Sequence, residues 1–172
     1  MPDSVTAAPL LRKSMAEVPP IRPSATPRAH EIIACARTWI GTRFQHQARR
    51  KGIGCDCWGL VLGIGLELNM PWAKKAARDQ ECIAYARRPH ADQLRKVARR
   101  YFDEIEPSRA AVGDVLIMTF ASEPTHFGIV SNTAPLSIIH SYAQARKVVE
   151  HGLDDVWRKR IVSAFRLRAV SV

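Results

Sequence analysis

The sequence has no apolar run long enough to cross a bilayer, no C-x-x-C pair of the kind that holds structural zinc, and no glycine-rich phosphate loop. Its most apolar stretch, Trp58 to Met70, is interrupted by Gly59, Gly63, Gly65, Glu67 and Asn69, so no transmembrane segment is expected. The opening segment, MPDSVTAAPLLRKS, lacks the apolar core of a signal peptide. The expectation is synthesis in the cytoplasm, with no export of the ordinary secretory kind. Cysteine is sparse: Cys35, Cys55, Cys57 and Cys82 are spaced as no disulfide framework, and reduced thiols are expected. Cys55 and Cys57 form C-x-C, which suits a metal poorly, so neither metal nor cofactor is expected. Zinc-finger spacings and RNA-binding aromatic motifs are missing as well, which argues against a specific nucleic-acid partner.

Acidic residues are also in short supply, 16 against 26 basic ones, for a net charge of +10. A surface this basic attracts polyanions. DNA, RNA, anionic lipid and the anionic bacterial wall all qualify, and charge alone does not choose among them. What is present is enough for one folded domain: 172 residues, 47% of them hydrophobic.

Six of the eleven prolines fall at positions 2, 9, 19, 20, 23 and 27. Proline blocks helix interiors and central strands, so residues 1–26 read as an arm or linker and 27–172 as the domain. A helix is expected from Thr26 as cap and Pro27 as first residue, through Ile32, Ile33, Ala36 and Ile40, to Gly41. A loop from Thr42 to Gly54 carries Phe44 and His46 among basic residues. Asp56 then caps a second helix, Cys57 to Asn69, apolar on most sides and therefore central and buried; Pro71 ends it. Residues 72–90 read as irregular with room for a short helix, and a third helix is expected over 91–102. Alternating runs at 114–120, 126–131, 136–141, 146–151 and 160–168 predict five strands joined by hairpins, with a turn at 132–135. Helices first and a strand meander after is an α+β order.

Cys57 opens the buried helix, where free backbone N–H groups and the positive end of the dipole favour a thiolate. Its own N–H can serve as one oxyanion donor. The bland alternative, a small buried cysteine, fits that local feature equally well. His126 begins the strand HFGIV and His140 ends SIIH; if these strands pair as a hairpin, the two imidazoles meet. One can take a proton while the other orients it. His30, His46, His90 and His151 find no comparable partner in this reading and are expected at the surface or in loops, with His46 the strongest exception.

These residues resemble a known family. ARTWIGTRFQH (36–46), GCDCWGLV (54–61), VGDVLIM (112–118), and THFGIV with IIHSY (125–130, 138–142) are similar, in order and spacing, to motifs of the NlpC-type cell-wall peptidases, a papain-like superfamily. The resemblance covers about 135 of the 172 residues. It implies a papain-like α+β domain with a central nucleophile helix on an antiparallel sheet of about five strands. It implies a cysteine peptidase acting on peptidoglycan stem peptides at the D-glutamyl–diaminopimelate bond, with Cys57 as nucleophile, His126 as base and His140 as orienting residue. HQARRKGIGCDCWGL resembles the phage-tail and gene-transfer-agent branch, which implies phage-like tail proteins as partners and delivery to the wall by a particle. Asp56, Phe44, His46 and Trp58 are the further cleft candidates; Phe44 stands where many relatives have tyrosine, and Trp58 where a smaller residue is common. Two rival readings keep this scaffold: a structural tail-tip subunit with little chemistry, and an acyltransferase.

Overall fold

A computed structural model describes residues 29–79, 93–120 and 123–167. The N-terminal arm, the Thr26 cap, Pro27, Cys82, His90 and Ala91 lie outside the described residues. Helix α1 (Ala29–Arg37) is followed by a two-stranded β-ribbon, β1 (Arg49–Arg50) and β2 (Gly54–Cys55). Helices α2 (Cys57–Glu67), α3 (Pro71–Ala76) and α4 (Gln93–Tyr101) follow. Then come β3 (Phe102–Ile105), β4 (Val115–Phe120), β5 (Glu123–Thr133), β6 (Leu136–Tyr142), β7 (Lys147–Gly152), the single-turn helix α5 (Asp155–Arg158) and β8 (Ile161–Leu167).

The main sheet has six strands in the order β3-β8-β4-β5-β6-β7, and every neighbouring pair is antiparallel. The sixth, β3, departs from the expected five. Its Phe102-Asp103-Glu104-Ile105 is short and carries two exposed acids, because it is an edge strand paired only with β8. The 42–54 segment is likewise not a plain loop. It holds the β1–β2 ribbon, and Arg43 and Phe44 bridge to Lys147 and Cys55. Pro71 not only ends α2 but opens α3, where its missing N–H costs nothing. β5 runs to Thr133, into the expected turn, and Ala134–Pro135 is a cis peptide bond.

Both faces of the sheet are covered, which explains why VLIMTF is nearly all apolar rather than alternating. Val115 and Ile117 join the core under the helices; Leu116 and Met118 join a second cluster with Val130, Ile138, Leu153 and Ala164. α2 is buried from Trp58 to Gly65 and packs on β5 and β6. Two close approaches set this docking. A Cβ at Gly59 would sit 1.9 Å from the Ala48 carbonyl oxygen, and one at Gly63 would sit 2.2 Å from the Trp39 ring. Trp58, a cleft candidate in the sequence, fills the core instead, its ring centroid 5.6 Å from Phe127, 6.3 Å from Phe102 and 6.4 Å from Trp72.

Candidate active site

Asp56 forms the hinge of the site. Its Oδ1 accepts the Gly59 N–H at 2.9 Å, capping α2, and its Oδ2 accepts the Gln47 N–H at 2.6 Å. One buried carboxylate thus fixes both the helix start and the loop above it. His46 Nδ1 lies 3.6 Å from the same Oδ2, beside the carboxylate that caps α2. Phe44, which has no hydroxyl to donate, lies half-buried beside Cys55. Cys55 is buried, and its carbonyl accepts from Ser141 Oγ at 2.8 Å, tying the nucleophile motif to β6.

Cys57 is half-buried at the first position of α2. The ladder between β5 and β6 stops at the Ile129–Ile139 pair, so the strands part at the level of Phe127. There the Phe127 N–H, freed from strand pairing with β6, faces Cys57, and with the N–H groups of Trp58 and Cys57 itself it favours the charged sulfur. The thiol is nevertheless not acidified. Burial, followed by the Asp56 charge, pushes it up to about 12 against the pull of those three N–H donors. The expected thiolate is therefore corrected. The helix N-terminus favours charge, but enclosure and an adjacent carboxylate win.

His126 immediately precedes Phe127 and is buried; His140 is completely buried. Their rings meet as the hairpin geometry requires, His126 Nε2 2.6 Å from His140 Nδ1. Burial holds both imidazoles well below the ordinary value of 6.5, with His151 adding repulsion at each. Burial thus disfavours the charged form of the thiol and of both imidazoles. His126 Nε2 is committed to His140, which leaves Nδ1 as the nitrogen available to a thiol proton.

His151 is the residue that sequence reasoning missed. It is not an isolated surface histidine: its Nε2 lies 3.0 Å from His140 Nε2, and its Nδ1 lies 2.8 Å from the Gly152 carbonyl oxygen. The signal was strand parity. In the β6–β7 register Ile138 faces His151 and His140 faces Val149, so His140 and His151 are diagonal neighbours on one face. An aromatic wall encloses them. Tyr142 stacks on His140 at 5.1 Å, Trp157 meets His140 at 5.4 Å and His151 at 4.8 Å, and Phe120 meets His126 at 5.4 Å. Arg160 lies 4.5 Å over the Phe120 ring. Among the described residues no group of three or more His, Cys, Asp or Glu is placed to hold a metal; the three histidines run in a line rather than converge. Also among the described residues, no helix is long and apolar enough to cross a membrane.

At the level of sequence no family model matches the chain, and neither does any curated protein. Solved structures do match in fold. The NlpC/P60 domain of the peptidoglycan hydrolase SagA aligns with a TM-score of 0.58 at 18% identity, over 82% of this chain and 100% of that one. An NlpC/P60 family protein of Bacillus cereus aligns with a TM-score of 0.58 at 16% identity, over 83% of this chain. The peptidoglycan hydrolase RipB of Mycobacterium tuberculosis aligns with a TM-score of 0.53 at 13% identity, over 84% of this chain. The chain spans all of the SagA domain but only 41% of the Bacillus protein and 65% of RipB. A helix opened by a cysteine, docked where two sheet strands part beside paired histidines, is thus built on the fold shared by NlpC/P60 domains.

Proposed function

We propose that this protein is a cysteine peptidase that hydrolyses an amide bond in the stem peptides of bacterial peptidoglycan. The observation that carries the reading is Cys57 at the tip of α2, faced by the N–H of Phe127, next in sequence to a His126 ring already hydrogen-bonded to His140. The NlpC/P60 fold and the peptidoglycan hydrolases among its neighbours support it.

With burial disfavouring charge on both partners, the first step is general-base attack. The thiol proton passes from Sγ to His126 Nδ1 as sulfur bonds to the amide carbon. The carbonyl oxygen becomes an oxyanion, facing the N–H groups at the start of α2. His126 returns the proton to the leaving amine, which departs and leaves a thioester on Cys57. Water, deprotonated by His126, then displaces the sulfur. We assign the D-glutamyl–diaminopimelate bond as the target, on the sequence resemblance. On the same ground, H-Q followed by G-C-D-C, we assign carriage to the wall by a phage-like tail. The net charge of +10 suits an anionic wall.

The rival is a structural subunit in which Cys57, its thiol pushed up by burial, does no chemistry. Digestion of purified sacculi decides between them. Cys57→Ala and His126→Ala should each lower the release of soluble fragments by ~10⁴–10⁶ while melting like the wild type. Undiminished release by either variant rejects the assignment.

A further inference from the structure

The three histidines end on a backbone carbonyl, and that end fixes the direction of every hydrogen bond in the chain. The Gly152 carbonyl oxygen can only accept. The His151 nitrogen 2.8 Å away, Nδ1, therefore carries the proton of the neutral ring, and Nε2 holds a lone pair. The His140 nitrogen facing that lone pair at 3.0 Å must donate, so His140 is protonated on Nε2 and bare on Nδ1. The His126 nitrogen facing that bare Nδ1 at 2.6 Å must donate in turn, so His126 is protonated on Nε2 and bare on Nδ1. The polarity runs one way across strands β5, β6 and β7, and it delivers a lone pair to the His126 nitrogen that the proposed reaction uses.

We propose that His151 is the positioning residue of the site: anchored on Gly152, it sets the tautomer of His126 through His140 and so makes Nδ1 the base. This rests on the cysteine peptidase reading for its effect on rate, although the tautomer itself does not. A group in place of His151 that can only donate would reverse the chain. His140 would then accept on Nε2 and donate from Nδ1, His126 would accept on Nε2, and its Nδ1 would hold the proton and lose its function as base. His151 is half-buried at the β7 edge, so a polar replacement there does not open the core.

The test is nitrogen-15 NMR of the imidazoles in the full chain, for the wild type, His151→Gln and His151→Lys, together with peptidoglycan hydrolysis. The wild type should show a bare Nδ1 and a protonated Nε2 at His126. His151→Gln supplies an oxygen acceptor to His140 and should keep that pattern, with activity within ~10-fold of wild type. His151→Lys should move the His126 proton to Nδ1 and lower hydrolysis toward the ~10⁴-fold that a wrong tautomer costs a catalytic triad. A wild-type His126 protonated on Nδ1 overturns the proposal, as do identical His126 tautomers in the Gln and Lys variants. If the tautomers behave as stated but Cys57→Ala hydrolyses peptidoglycan normally, the peptidase reading fails and the histidine polarity stands.

Discussion

At the scale of single residues, Asp56 has two opposing effects. It caps α2 and anchors the Gln47 N–H, which steadies the site. It also places a negative charge next to Cys57, which is the second largest reason the thiol stays protonated. Asp56→Asn keeps an oxygen for Gly59 and removes the charge. The thiol should then titrate at lower pH, and alkylation of Cys57 near pH 8 should quicken about tenfold for each unit the thiol falls. Alkylation unchanged in Asp56→Asn would show that enclosure alone holds the thiol. Asp56→Ala should also cost ~1–2 kcal/mol of stability through the lost cap, read from denaturant melts. The buried imidazoles predict a pH dependence of stability. Both are ordinary histidines when unfolded, near 6.5, and resist protonation when folded. The unfolded chain therefore binds more protons below that value. Stability is full above about pH 6.5 and declines as pH falls toward the folded values, by at most ~3 kcal/mol per pH unit for two sites. Melting temperatures from pH 8 to pH 5 check this, and His140→Gln should flatten the slope.

Among the elements, α2 was the most legible in the sequence and for a simple reason. An Asp cap followed by an all-apolar helix has a start signal and one possible location, the core. The meander of β4 to β7 was legible because each strand carries its own apolar run between turn residues; β8 was legible as a strand, but it crosses back to pair with β4 and β3 rather than forming a hairpin with β7. β3 was not, since four residues with two acids look like loop until β8 is there for them to pair with as the edge of the sheet. α5 was missed too; one turn capped by Asp154 leaves no period to detect. His126 and His140 were paired from adjacent strands, whereas His151 needed the exact register across a second hairpin, which turn length alone does not give. For Cys57, helix position is visible in sequence and the burial that opposes a thiolate is not. The docking of α2 carries its own prediction. Gly59→Ala drives a methyl into the Ala48 carbonyl, so it should destabilise by ~2–3 kcal/mol and disturb the loop that bears His46. A melt indistinguishable from wild type would mean that the 45–48 segment moves aside freely.

Taken whole, the molecule is a sheet covered on both faces, with the helices on one and the second apolar cluster on the other. Cys57 opens α2 on the helical side, where the next residue, Trp58, packs against Phe127 of β5. The histidines stand on β5, β6 and β7, and their aromatic wall comes from Phe120 of β4, Tyr142 of β6 and Trp157 of α5. The chain as a whole carries a net charge of +10. Binding of the Cys57→Ala variant to sacculi should therefore weaken steeply between low and physiological salt. The account as a whole stands or falls on a covalent bond at one sulfur. Rapid-quench mass spectrometry of the full-length protein mixed with peptidoglycan stem peptides should find the acyl half of the cleaved peptide on Cys57 within the first turnover. Hydrolysis that proceeds with no acyl-enzyme, with an adduct on another residue, or undiminished in Cys57→Ala would contradict it.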